Sequence, residues 1–268
     1  MKNIVYTITH KDTKTNIPDG YVFLAVGPNK DTLSIKCIRD DIKNNISNKN
    51  NSYSELTGLY WIWKNDNSEH VGLVHYRRYF VSLKKNWLYK GRHIFINKKN
   101  KYKILTIDEL ENELKGYDLI VKNSRYSKYT NEELLRKNLG NELWDNLNEI
   151  MYSSDQKYII EYEKMSKLHN HINCNMFYGN KRIMDKYCEW LFDLLNKVDE
   201  NHRKKYGEYY HKRELGYLSE ILFGIWLNVN NIKYKYIPVV NIENPYDVDG
   251  CMDIGEFIKF LFKNILKI

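Results

Sequence analysis

Two adjacent arginines among imidazole and aromatic groups are the first candidates for chemistry: His75-Tyr76-Arg77-Arg78-Tyr79 closes a run of apolar and β-branched residues starting at Val71. The run EHVGLVHYRRYF, residues 69–80, predicts a single strand, across which side chains alternate. His75, Arg77 and Tyr79 then share one face, and Tyr76 and Arg78 the other, so each face carries a guanidinium. Burying such groups is costly unless an anion pairs with them, and a diphosphate matches their forked geometry. Internal salt bridges to Asp or Glu would serve equally, and spacing leaves both readings open.

Carboxylates in apolar company come next. Glu220 lies within Gly216-Tyr217-Leu218-Ser219-Glu220, inside an apolar helical run. Such a carboxylate either finds a partner or has its pKa raised, as suits a general base acting on a hydroxyl. A buried ion pair with Arg213, Arg77 or Arg78 is the competing reading. Ser52 and Glu55 have capping-box spacing, and Glu55, Tyr60 and Lys64, four and five residues apart on a helix, could face one pocket. Tyr60, Trp61 and Trp63 read better as that helix's packing surface. His169-Asn170-His171 has no third ligand nearby and reads as structural. Asn173 and Asn175 would share one side of a following strand. Asp247-Val248-Asp249 sits in a turn-like NPYDVDG.

These groups need positioning elements. IVYTITHK predicts a buried first strand and YVFLAVG, 21–27, a second, with polar groups gathered where the first ends. The asparagine-rich DDIKNNISNKNNS reads as a loop open to motion. YSELTGLYWIWKN predicts a helix. A lysine-rich loop or hairpin reaches about residue 104. Capping boxes at Thr106/Glu109 and Thr130/Glu133 start further helices, the second stretch breaking near Ser153 and Ser154 and ending about Lys167. YDLIVKN, INCNMFYG and KYKYIPVVNI read as strands, and KRIMDKYCEWLFDLLNKV and LGYLSEILFGIWLNVN as helices. Alternating β and α elements predict an α/β fold: a mainly parallel sheet, helices on both faces, ligands at the carboxyl ends of the strands.

The 268 residues, 43% hydrophobic, suffice for one main core. We divide the chain into a domain, 1–250, and a C-terminal amphipathic helix, 251–268. In that helix Lys259, Lys263 and Lys267 form a basic stripe, suited to an anionic membrane surface or, the favoured reading, to packing on the core with the lysines in water. No signal peptide or spanning segment is evident, so a cytoplasmic location is expected, with peripheral contact at the inner membrane face an option. Cys37, Cys174, Cys188 and Cys251 form no CxxC pair and read as small buried hydrophobes. The net charge of +8 favours an anionic partner. The basic residues are dispersed instead of forming one basic and aromatic stripe, so no nucleic-acid partner is expected.

ELTGLYWIWKN, HVGLVHYRRYF, the later NMF and GYLSEILFGIWL together closely resemble a bacterial family long catalogued as a domain of unknown function. Its members occur in capsule and lipopolysaccharide gene clusters and are regarded as glycosyltransferases. The resemblance runs from Thr9-His10-Lys11 to the PVV strand near residue 239. It implies a GT-A-like fold, Rossmann-like, with a helical C-terminal part here. It also implies that Thr9, His10 and Lys11 border the uracil and ribose of a UDP-sugar, and that His75 to Arg78 stand where many such enzymes carry an Asp-x-Asp metal motif.

That motif is missing, so no metal cofactor is expected as a requirement, and His75 with Arg77 or Arg78 is expected to bind the diphosphate instead. Expected contacts to donor or acceptor sugar are Glu55, Tyr60, Lys64, Tyr76, Asn173, Asn175, Arg213 and Tyr217, with Asn175 preferred over Asn173. Glu220 and Glu214 are the alternative bases, Glu214 because bases of inverting relatives lie near that helix start. The expected activity is transfer of a hexose, with galactofuranose suggested by the resemblance, to a hydroxyl of a lipid-linked saccharide. A non-catalytic sugar-nucleotide or glycan-binding subunit, and after it a nucleic-acid-binding protein, are the alternatives.

Overall fold

The computed structural model describes residues 3–83, 86–89, 92–95, 102–208, 212–244, 248–249 and 251–253, with positions 255, 258 and 262 besides. β1 (Ile4–Thr9), β2 (Tyr21–Ala25), β3 (Cys37–Arg39) and β4 (His70–His75) lie parallel in the order β4-β1-β2-β3. On the other side of β4, Phe177–Asn180 pairs antiparallel with it and with Leu119–Lys122, which Tyr234–Ile237 joins in parallel. The fold is the expected α/β class.

Alternation along the strands sorts side chains into two cores. Tyr6, Ile8, Leu24, Leu73, Val121 and Phe177 enter the larger one, while Val5, Tyr21, Val74, Ile120 and Tyr178 enter the other. The described helices are α1 (Asn50–Tyr53), α2 (Leu56–Asn65), α3 (Ile107–Leu114), α4 (Asn131–Leu139), α5 (Asn141–Met151), α6 (Gln156–Lys167), α7 (Lys181–Tyr206) and α8 (Glu214–Val229). Leu110 and Leu114 of α3 cover the smaller core; α2 and α4 to α8 build the larger. Each fully buried Leu or Phe contributes about 1.5–3 kcal/mol. α8 is apolar almost all round and accordingly buried on nearly every side. Among the described residues no helix is long and apolar enough to cross a membrane.

Local signals held where nothing distant competed. The capping boxes of α3 and α4 are formed: Thr106 Oγ1 accepts from the Glu109 amide, and Thr130 Oγ1 from the Glu133 amide. The lysine-rich segment contains a hairpin, Asn86–Tyr89 against Arg92–Phe95.

Elsewhere the expectations need correction. The run 69–80 is a tight hairpin, in which β5 (Arg78–Leu83) folds back so that His75 pairs with Arg78. There β5 gains Val239–Asn241 as a ladder partner, and the alternation assigned to His75 through Tyr79 does not apply. The Ser52/Glu55 capping box is absent, because Ser54 at φ 51° separates α1 from α2 and Glu55 has buried partners elsewhere. The stretch 130–167 breaks at Gly140 as well as before α6, Pro238 splits KYKYIPVVNI into two strands, and Val248–Asp249 is a strand, not a turn. Asn173 and Asn175 do not share a strand face: Cys174 and Asn175 have φ of 73° and 48°, and the strand starts at Phe177. The asparagine-rich stretch is not all loop: Ser47–Lys49 forms a 3-10 helical turn that leads into α1, whose first residues also belong to the stretch. Lys259, Lys263 and Lys267 lie outside the described residues.

Candidate active site

The carboxyl ends of β1 to β4 point the same way, and their ladders run on past the strands. The amides of Val26, Asp40 and Tyr76 donate to the carbonyls of Thr9 (2.8 Å), Ala25 (3.0 Å) and Ile8 (2.9 Å), so the loops that follow are fixed at their roots. These loops enclose a cavity of about 560 Å³. Its lining comprises Ile8 within β1 and His10 just after it, Val26 to Lys30 after β2, and His75 to Arg78 at the hairpin. Ser47, Asn48, Asn50, Asn51, Ser54 and Glu55 come from the α1 region, and Lys212 and Arg213 precede α8. Gly27, at φ +85°, turns the chain into the cavity, where a Cβ would lie 3.2 Å from Asn50 Oδ1.

Among the described lining residues, Lys30, Arg77, Arg78, Lys212 and Arg213 face a single carboxylate, Glu55. Lys30 Nζ donates to the Gly27 carbonyl (3.2 Å) and to Ser47 Oγ (3.1 Å), and lies 3.9 Å from Asp40. On the rim Glu243 accepts from Lys11 at 2.9 Å and from Arg77 at 3.4 Å. With the Arg77 and Glu243 side chains 35% and 43% exposed, that pair contributes at most about 1 kcal/mol, so Arg77 can turn to a stronger anion.

Glu55 forms the buried end of the site. Asn175 Nδ2 donates to Oε1 at 3.0 Å and Arg213 Nη2 to Oε2 at 3.3 Å. The same amide donates to Ser219 Oγ on α8 at 2.9 Å. Burial pushes the Glu55 pKa up, but His75, Arg213 and the Asn175 donor reverse this and hold it below the usual carboxylate value. For His75 burial is again the largest influence and drives the pKa down, against the attraction of Glu55. Its Nε2 donates to the Cys174 carbonyl at 2.7 Å, which orients the ring beside Glu55. His10, at the other end, is lowered by burial first and then by Arg213, Lys11 and Arg77.

Of the residues singled out in the sequence, His10, Glu55, His75, Tyr76, Arg77, Arg78 and Arg213 meet around this cavity. Thr9 is buried, its hydroxyl donating to the Lys11 carbonyl; Lys11 stands over the Tyr76 ring at 5.0 Å. Asn175 acts behind the lining, through Glu55. Asn173 instead accepts from buried Lys122. Tyr60 and Lys64 are directed elsewhere: Tyr60 packs edge-on against Trp63 and Phe192, and Lys64 lies over Trp63. Tyr217 is exposed beneath Arg213.

Neither Glu214 nor Glu220 lines the cavity. Glu214 is buried, and Glu220 lies 3.7 Å from His171 Nε2, while His171 Nδ1 donates to Asn131 Oδ1. Cys174 and Cys188 are buried and Cys37 is half-buried, Cys251 lying outside the residues whose side chains are described. Among the described residues no three His, Cys, Asp or Glu side chains gather as a metal site. Sequence reasoning missed Lys30, Lys212 and the Asn48–Asn51 turn. The signal was Gly27-Pro28-Asn29-Lys30 directly after a strand, where a glycine and a cation at a strand end suit anion binding.

Fold and cavity together define a GT-A-like α/β protein with a cationic site at its parallel strand ends. The chain belongs to the family described as Domain of unknown function (DUF4422), which it matches over residues 4–231. No curated protein matches it. A solved structure described as apo WbbM, a bifunctional glycosyltransferase, superposes with a TM-score of 0.74 at 24% identity. The superposition covers 90% of this chain and 45% of that one, so this chain spans about half the length of WbbM and shares the fold of that part.

Proposed function

We propose that this chain is a glycosyltransferase that moves a sugar from a nucleoside diphosphate donor to a hydroxyl of a saccharide. The observation that carries the reading is the cluster of Lys30, Arg77, Arg78, Lys212 and Arg213 around a strand-end cavity with one carboxylate at its buried end. A diphosphate is the anion that such forked and pointed cations suit, and strand ends of this fold class are where nucleotides bind. The donor set among the described lining residues does not suit a divalent ion, since its one carboxylate is already paired with Arg213.

In the reaction, the acceptor hydroxyl gives its proton to the Glu55 carboxylate while its oxygen attacks the anomeric carbon. The bond from that carbon to the diphosphate oxygen breaks, and the electron pair leaves with the nucleoside diphosphate. Arg77 and Arg78 stabilise the departing charge. Glu55 takes precedence over Glu220 and Glu214 as the base because it lines the cavity. We further propose a UDP-sugar donor, UDP-galactofuranose being the first to try, inversion at the anomeric carbon, and a lipid-linked acceptor of a surface polysaccharide at the inner membrane face. The motif resemblance supports these finer assignments.

Thermal unfolding with UDP, ADP, GDP or CMP, each with chelator or manganese, tests the reading, since a ligand that binds the folded state raises the midpoint. UDP alone is expected to stabilise, with or without chelator. If no nucleotide raises the midpoint, the strand-end site is not a donor site.

A further inference from the structure

A second cavity, of about 350 Å³, opens beside the first and is lined by Asn48, Lys49, Asn51, Ser52, Asp199, Arg203 and Glu208. Asn48 and Asn51 line both cavities, so the turn entering α1 and the start of α1 form their shared wall. That wall is fixed from outside: the Arg213 amide donates to the Asn51 carbonyl at 2.8 Å. The second lining balances its own charge. Lys49 lies 3.4 Å from Asp199, and Arg203 bonds Asp199 at 2.9 Å and reaches Glu208. Among the described lining residues two cations thus meet two carboxylates, where the first cavity sets five cations against one. Among the described residues no hydrogen bond engages the side-chain amide of Asn48 or Asn51, and each offers two donors and an acceptor.

We propose that this second cavity is the acceptor subsite and holds a neutral, hydroxyl-rich saccharide, whose end enters the first cavity across Asn48 and Asn51. The inference rests on the glycosyltransferase reading. A balanced lining has no excess charge with which to hold an anion, while amides, a serine hydroxyl and paired charges hydrogen-bond to hydroxyl groups in both directions. The saccharide lies along the wall and presents its terminal hydroxyl toward Glu55.

The test measures binding of p-nitrophenyl galactoside, glucoside and mannoside by saturation-transfer NMR in the presence of UDP. It compares the natural chain with Ser52→Leu, which fills the second cavity, and Glu208→Trp. Glu208 is 84% exposed, so its replacement does not threaten folding should the buried Ser52 position prove sensitive. At least one hexoside is expected to bind, each folded variant to weaken it at least about ten-fold, and the UDP-induced rise in midpoint to persist. Hexoside binding unchanged in the folded variants, or no hexoside binding by a natural chain that UDP does stabilise, overturns the proposal. Hexoside binding that is sensitive to both variants without any UDP effect keeps the saccharide subsite and removes the donor reading instead.

Discussion

The two cavities share a wall and differ in almost everything else. The first is built from strand ends that the ladder hydrogen bonds fix, and its described lining sets five cations against one carboxylate, Asp40 and Glu243 pairing with Lys30 and Arg77 from outside that lining. The second lies between α1 and α7 and cancels its charges internally. An anion gains from the first and little from the second; a neutral polar ligand gains from hydrogen bonding in either. Sheet and helix thus offer two recognition chemistries a few residues apart, as a reaction between a charged donor and an uncharged acceptor requires.

The sharpest way to break this contrast is at the one carboxylate of the first cavity. Glu55→Gln is expected to lower kcat by about 10²- to 10⁴-fold while the UDP-induced midpoint shift persists, as measured by turnover and thermal unfolding. Glu220→Gln and Glu214→Gln should have much smaller effects; the reverse ranking would move the base to α8. Turnover unaffected in all three would exclude each of these carboxylates as the base. Next in size, Arg77→Ala and Arg78→Ala should each weaken UDP by roughly 10- to 100-fold in calorimetry, for the loss of a charged hydrogen bond of about 1.5–3 kcal/mol. Hexoside binding in the second cavity should stay nearly unchanged.

A backbone change separates the two supports. Gly72 lies on β4, where a Cβ would sit 2.9 Å from the Tyr178 ring and 3.3 Å from the Phe177 carbonyl. Gly72→Ala should destabilise the chain by about 1–3 kcal/mol in urea unfolding and perturb UDP binding more than hexoside binding.

The smallest effect is in pH. Burial and the neighbouring cations hold His10 below 6.5, and a bound diphosphate offsets the repulsion and raises its pKa. Binding then takes up a proton, so affinity for UDP-glucose, whose diphosphate does not titrate in this range, should rise a few-fold as pH falls below 6.5. His10→Asn should flatten the profile. Among the described residues the second lining contains no histidine, and His202 beside its Asp199 and Arg203 is already held below 6.5, by burial first, so hexoside affinity should change less than UDP-glucose affinity across the same range.

Much of the scaffold was legible because its causes are local. A Thr with Glu three residues on satisfies amides at α3 and α4 wherever they lie, and the apolar period of α7 and α8 specifies buried helices in any fold. The site was legible only in part. His75, Arg77 and Arg78 announced themselves by residue type, but their arrangement was misread because strand periodicity does not register a two-residue reversal. Tyr60 and Lys64 were grouped with Glu55 by helical spacing, and spacing cannot tell which face meets α7.

By itself the sequence determined the α/β class, most elements, and an excess of cations near strand ends, since propensity, periodicity and capping act within a few residues. The tertiary structure alone decided which groups meet. Asn175 reaches Glu55 across 120 positions and Arg213 reaches it across 158, pairings that follow from the need to partner a buried carboxylate and that no local rule specifies.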